Sequence, residues 1–257
     1  VTTSVMSRNA SFAARSYRTH GIVLRTYKLG EADRIIVMLS PEYGQIRAVA
    51  KGVRRTSSKL GATLEPFMLV DAQIVHGRTL DIITQAQLQR PYGQLIAADY
   101  TLFTTANVMA ETAERLTQTD DESSAVQYRL FHGALAALSR NQHNPSRVLD
   151  SYLLRALAAE GWAPNFSECV KCGRPGPHAS VNIVLGGSVC VDCKPSGSLS
   201  PGPSAVMLLA ALLAGDWDLI DAADMADQRA ASGIVTGYVQ WHLERALTSM
   251  RHIERTT

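Results

Sequence analysis

The chain has 257 residues, 46% of them hydrophobic and 19% charged, with a formal net charge of +2. That is the make-up of an ordinary globular protein with room for one large domain or two small ones. It excludes a membrane-spanning helix, because the most apolar run, AVMLLAALLA at 205–214, is half the roughly 20 residues a bilayer needs; a buried core helix is expected there. The near-neutral total hides a segregated charge. Residues 1–59 hold eleven Lys/Arg against three Asp/Glu, a balance of +8, and the remainder is −6. A field divided in this way suits a polyanion partner at the basic end. Twenty of the twenty-five cations are Arg, whose planar fork can hold phosphate with two hydrogen bonds.

Residues 1–16 carry two Arg and no acid, without the apolar core of a signal peptide, and are expected to be a disordered extension. From Tyr17 to about Gln89 the pattern is strand and turn. Five runs rich in aliphatic and β-branched residues, at 22–24, 34–40, 45–50, 67–75 and 80–88, are separated by Gly- and Pro-bearing turns. In the third run Ile46, Ala48 and Ala50 share one face and Arg47 and Lys51 the other, the alternation of a half-buried strand. Five short strands in so few residues suit a small closed barrel.

One stretch stands out. AKGVRRTSSKLG at 50–61 packs Lys51, Arg54, Arg55 and Lys59 into nine positions with no carboxylate. Charge runs are usually solvated loops. This one lacks compensating acids, so contact with a polyanion is expected. Lys28 and Arg34 flank the first hairpin and join Arg47 in the same candidate set. Tyr27 and Tyr43, near turns, are the few candidates for base stacking, or simple cover for the core.

After Pro91 the period changes to that of helices. Leu102, Ala106, Met109, Ala113 and Leu116 mark one; Val126, Leu130, Phe131, Leu135 and Leu138 a second. Asn144 and Pro145 open a third, which Gly161 ends. A fourth spans 204–214 before Gly215, and a fifth carries Ile234, Tyr238, Trp241 and Arg245.

Between the third and fourth helices lies an insert, 164–203, holding all four cysteines as CVKC and CVDC with seventeen residues between the pairs. That spacing predicts one structural Zn²⁺ on Cys169, Cys172, Cys190 and Cys193, since a two-residue gap lets both thiolates of a pair turn toward one ion. Gly173 can take the positive φ such a knuckle needs. Lys171, Arg174 and Lys194 could offset the charge of four thiolates. His178 is a possible substitute ligand. Disulfides, a redox C-x-x-C and a zinc deaminase are the rival readings; the last needs H-x-E upstream of the cysteines, and His242-Leu243-Glu244 lies downstream. No P-loop, HExxH or GxSxG is present, so binding outranks catalysis and no enzyme activity is expected.

The segment GIVLRTYKLGEADRIIVMLSPEYGQIRAVAKGVRRTSSKLGATLEPF at 21–67, with its LGEADRI turn, AKGVRR run and LEPF strand entry, resembles the opening of the RecO family of bacterial DNA recombination and repair proteins. SYLLRALAAEGWAP at 151–164 and the cysteine pairs continue the likeness to about residue 250. The resemblance implies an α+β multidomain chain: an N-terminal five-stranded OB-fold β-barrel (17–92) and an α-helical domain (93–257) interrupted by the zinc-binding insert. It also implies a recombination mediator at the nucleoid of the bacterial cytoplasm. Such a protein binds single- and double-stranded DNA without strong sequence preference and anneals complementary strands. It recognises the C-terminal tail of single-stranded-DNA-binding protein and, with RecR, helps load the RecA recombinase. Two other classes stay open: a zinc-ribbon OB-fold protein of RNA binding or transcription, and a metal-stabilised scaffold for an acidic protein. A magnesium-dependent nuclease is a weaker third.

Overall fold

The computed structural model describes residues 16–58, 60–118 and 123–243. Lys59, Glu244, Arg245 and the expected extension up to residue 15 lie outside these. The strands are β1 (Ser16–Leu29), β2 (Asp33–Ser40), β3 (Gly44–Ala50), β4 (Leu69–Val75), β5 (Asp81–Arg90), β6 (Ser180–Asn182) and β7 (Gly187–Val189). The helices are α1 (Tyr92–Ile96), α2 (Tyr100–Leu116), α3 (Ser124–Arg140), α4 (Pro145–Ala159), α5 (Pro203–Ala214), α6 (Trp217–Ala222) and α7 (Met225–His242). They fall into two compact units. One holds the barrel together with Ala113–Leu135; the other holds Tyr100–Thr112 and the chain from Ala136 onward.

In the first unit the five strands close in the order β1-β2-β3-β5-β4, with β3 and β5 the parallel pair that seals the barrel. This is the order of an OB fold, and closure leaves no strand edge for aggregation. β1 is far longer than the apolar run at 22–24. Its polar first half pairs with β4, from Ser16 opposite Val75 to Ile22 opposite Leu69. Its second half pairs with β2 beyond an irregularity between Val23 and Arg25. One strand serving two neighbours needs little apolar sequence at its ends. β4 in turn begins two residues later than the run at 67–75 suggests. Phe67 is buried with a φ of +67°, a left-handed conformation costly to a bulky residue. Hydrogen bonds from Phe67 N to Val23 O and from Val23 N to Met68 O hold it there.

The barrel interior is filled by Val23, Ile36, Met38, Ile46, Ala48, Ala50, Val70, Ala72, Ile74 and Ile83. The face of β3 read from alternation is therefore the inward one. Ile22, Val37 and Leu39 lie outside that cluster, yet none of them is exposed. Helical residues of the same unit cross their rows. Arg25, opposite Val37, is 3.1 Å from Glu114. Gln45, opposite Leu39, turns its amide nitrogen toward the carbonyl oxygens of Glu114 and Thr117, 3.0 Å from each. Part of the outer β1–β2–β3 surface is thus covered by Glu114 and Thr117, at the end of α2.

His132, in α3, shares a hydrogen bond with the Tyr92 hydroxyl across 3.0 Å. Burial, helped by the Arg90 and His20 charges, lowers its pKa below the usual 6.5. The unfolded chain then binds the proton more readily than the folded one. Stability from this residue is complete above about pH 6.5 and declines as pH falls below it toward the depressed folded value. Urea midpoints at pH 7.5 and 5.5 should therefore differ less in His132→Gln than in the parent; an unchanged difference contradicts this.

In the second unit, the Asn144 side chain accepts from Ser146 N with Pro145 in the first turn of α4, as expected. Gly215 ends α5 in a left-handed conformation, with φ +77°. α4, α5 and α7 pack together through Leu149, Leu153, Leu209, Leu212, Ile234 and Val235, all buried. Buried Asp150 of α4 meets Gln228 and Ser232 of α7 through hydrogen bonds. The short helices α1 and α6 have no counterpart in the sequence reading, since neither is long enough to display a period.

Candidate nucleic-acid interface and metal centre

The basic stretch is anchored, not loose. Val53 and Leu64 insert into the barrel core and are 2% and 0% exposed, so the loop is tied down at these two described positions. Gly52 turns with φ +64°, and its N–H donates to the Asp33 carboxylate at 2.7 Å. Arg54 N donates to Ala32 O at 2.9 Å, and the Arg54 guanidinium donates to Gly30 O at 3.0 Å. The loop is thereby pinned at Gly52 and Arg54 against the β1–β2 turn, at the end of β1 that carries Lys28.

Cross-strand register separates the remaining candidates. Lys28 stands opposite Arg34, and Arg34 opposite Ala50, whose side chain faces the barrel interior. Lys28 and Arg34 therefore belong to the row at the barrel mouth. Arg47 stands opposite Val37 on the outer face, its guanidinium 5.9 Å from the Tyr27 ring centre. Arg34 is committed to Glu65 at 2.6 Å, which leaves it little charge to offer a ligand. Lys28, Arg47, Lys51, Arg54 and Arg55 are exposed and have no ion pair among the described residues. Glu31, exposed in the adjoining turn, is the nearby acid; Asp33 is occupied by Gly52. Lys59 falls outside the described residues.

Both tyrosines are partly open to water, at 38% and 47% exposure, and each is engaged on one side. The Tyr27 hydroxyl donates to Glu114 at 3.2 Å beneath Arg47. Tyr43 packs against Tyr17, ring centres 4.6 Å apart, and Tyr17 also meets His76. The Tyr17 hydroxyl donates to Asp81 at 2.6 Å, and burial first, then that carboxylate, raises its pKa.

The four cysteines converge as their spacing predicts. Their sulfurs all lie within 4.8 Å of one another. Four sulfurs about 2.3 Å from one tetrahedral ion stand about 3.8 Å apart, and those of Cys172 and Cys190 are separated by 3.8 Å. Each pair forms a tight knuckle: Gly173 N donates to Cys169 O at 2.8 Å, with Gly173 at φ +72°, and Cys193 N donates to Cys190 O at 3.2 Å. Backbone N–H groups, at Cys190 first and then at Lys171 and Cys172, lower the Cys169 thiol to about 6. Hydrogen bonding with the neighbouring cysteine sulfurs raises Cys193 to about 12. Sulfurs so crowded cannot all ionise alone, and a thiophilic dication between them would remove that conflict.

The base of the insert is built on close backbone approach. Gly187 pairs with Asn165, at φ +154°, and a Cβ there would overlap the Asn165 carbonyl outright. His178 is buried and bonds the Arg174 carbonyl through Nε2 at 2.9 Å, outside the cysteine cluster. Of the expected counter-charges, Arg174 pairs with Asp192 at 2.6 Å, and that carboxylate, then the charges of Cys190 and Cys172, raise its pKa; Lys194 donates to Ser200 at 2.6 Å. His242 stacks on Trp162, ring centres 5.0 Å apart, as a packing residue. No helix among the described residues is long and apolar enough to cross a membrane.

Residues 15–92 match the family described as Recombination protein O N terminal, and residues 97–251 match Recombination protein O C terminal. DNA repair protein RecO of Streptomyces avermitilis is 50% identical over 245 residues, covering 93% of this chain and 99% of the relative. That of Streptomyces coelicolor is 51% identical over the same coverage. That of Cutibacterium acnes is 49% identical over 244 residues, covering 93% and 99%.

Proposed function

Since the chain belongs to the Recombination protein O family, we propose that it acts in DNA repair and recombination by binding single- and double-stranded DNA through the basic loop of its barrel. The observation that carries this reading is the group of cations at Lys28, Lys51, Arg54 and Arg55, exposed, without ion pairs among the described residues, and held in place by Val53 and Leu64. Ordering of the loop before DNA arrives lowers the entropic cost of binding. Cations at fixed spacing suit the regular charge of a phosphate backbone, which contributes affinity without sequence preference. Arg47, over Tyr27 on the outer face, extends the basic surface in a second direction, so two strands could be held near one another; annealing of complementary strands follows from that arrangement.

The wider role is a mediator that, with RecR, helps RecA load onto DNA coated by single-stranded-DNA-binding protein, whose C-terminal tail it recognises. It works without enzymatic chemistry of its own. The thiolate set fits zinc, which when bound supplies a closed, structural cross-link. Cys169, Cys172, Cys190 and Cys193 would hold it, and the residues around them shape the knuckles.

Full-length protein should retain fluorescent single strands of unrelated sequence with similar affinity, lose them as salt rises, and speed the annealing of complementary strands without magnesium-dependent cleavage. A marked preference for RNA or for one sequence supports the zinc-ribbon alternative. Failure to bind DNA at low salt supports the scaffold. The full chain is the right sample, because the barrel alone would lose the helical cover over its outer rows.

A further inference from the structure

The second unit carries the reverse of the basic loop. Between residues 216 and 228 stand five aspartates, Asp216, Asp218, Asp221, Asp224 and Asp227, and no Lys, Arg or His. Asp227 and Ser204 join Met207, Leu208, Leu219, Ala222 and Ala223 in lining an apolar cleft of about 220 Å³ where α5, α6 and α7 meet; the other four aspartates stand on or beside α6. Large apolar side chains open to water here: Met207 is 53% exposed, Leu219 52% and Met225 49%. Such a grouping, rimmed by polar residues, marks an interaction surface rather than scattered exposure. An apolar cavity of about 150 Å³ accepts benzene, so this cleft has room for one bulky side chain.

The charges around it select the occupant. Asp216 and Asp224 cap the helices that follow them, accepting from Leu219 N and Asp227 N. Asp227 accepts from the Ser204 hydroxyl, which carries no charge. Asp221 lies 2.7 Å from His143 and is offset by Arg147 at 3.8 Å. Asp218 has no ion pair among the described residues, and Arg229, one turn beyond Met225, is the cation on α7 near the rim. The rim is therefore net negative.

We propose that the α5–α6–α7 cleft is a docking site for a protein segment that inserts a Leu or Phe side chain between Met207 and Leu219 and flanks it with Lys or Arg. The proposal is independent of the DNA reading. It concerns the other unit and the opposite charge, and it assigns the cleft to a basic segment.

The test uses the full chain and a labelled peptide, Gly-Lys-Lys-Phe-Leu-Lys-Lys-Gly, followed by fluorescence anisotropy at moderate salt. The parent should bind it. Leu219→Ser and Met207→Ser should each weaken binding roughly tenfold or more, as expected for losing burial of one large apolar side chain. Asp218→Lys, on an exposed helix surface, should weaken it as well and serves as the second variant if the apolar ones unfold. Single-strand DNA binding should be unchanged in all three. Peptide affinity that is the same in parent and variants overturns the proposal. So does a Glu-for-Lys peptide whose binding is lost in Leu219→Ser, because the cleft would then take an acidic segment. Self-association of the parent abolished by these substitutions also overturns it, by making a second copy the occupant.

Discussion

Cys190→Ser should lower the zinc content of the purified protein from near one ion per chain to near zero and leave the insert at 164–203 unfolded. The insert has little regular structure of its own. Its two strands, β6 and β7, are three residues each, and a segment of roughly forty residues cannot bury enough surface to fold by itself. Structural zinc sites contribute an apparent binding free energy of about 10–16 kcal/mol in small metal-dependent domains, far more than the two-stranded sheet can supply. Serine cannot replace the thiolate, and the other three sulfurs would remain crowded without a cation. Proteolysis should accordingly cut the variant between residues 164 and 203, while sites in the barrel stay protected. DNA affinity at low salt should be largely retained, because the basic loop belongs to the other unit. A Cys190→Ser protein that is metal-free yet as protease-resistant as the parent contradicts a structural metal.

How much of this was legible depends on which signals are local. The cysteine site was, because two C-x₂-C pairs dictate their own geometry and Gly173 takes the conformation its position demands. So was the inward face of β3, since Ile46, Ala48 and Ala50 share one side of the alternation and Arg47 and Lys51 the other. The long helices declared themselves by period, with Asn144 and Gly215 as caps. What stayed hidden is long-range. Nothing in Ser16-Tyr17-Arg18-Thr19 announces the first half of β1, which exists because β4 is there to pair with it. The commitment of Arg34 to Glu65 joins positions 31 residues apart, and no spacing rule foresees it. The charge of the basic loop was legible but its anchoring was not, because Val53 and Leu64 are single apolar residues without a period. Their burial in the barrel is what turns a flexible loop into a fixed one. The acidic cleft was missed for a related reason: α6 is too short to show amphipathicity, and its exposed Leu219 reads as core in sequence.

The second large effect is expected at that loop. Replacing Lys28, Lys51, Arg54 and Arg55 together by Gln should weaken binding to every single-stranded sequence alike. Each cation that meets a phosphate releases counterions and contributes about 0.7 to the slope of log K against log salt on single strands. If all four meet phosphates, their removal flattens that slope by up to ~2.8. The fold should survive, since exposed substitutions of this kind usually change stability by less than about 0.5 kcal/mol, although Arg54 also gives up its bond to Gly30 O. Arg34→Gln, by contrast, should leave the slope nearly unchanged, because its guanidinium already faces Glu65. The decisive measurement is the salt dependence of single-strand affinity for the parent and the folded quadruple variant, side by side. A flatter slope with uniform loss across sequences is the result expected of a loop that meets phosphates. An unchanged slope in the folded variant, or a loss confined to some sequences, would contradict it.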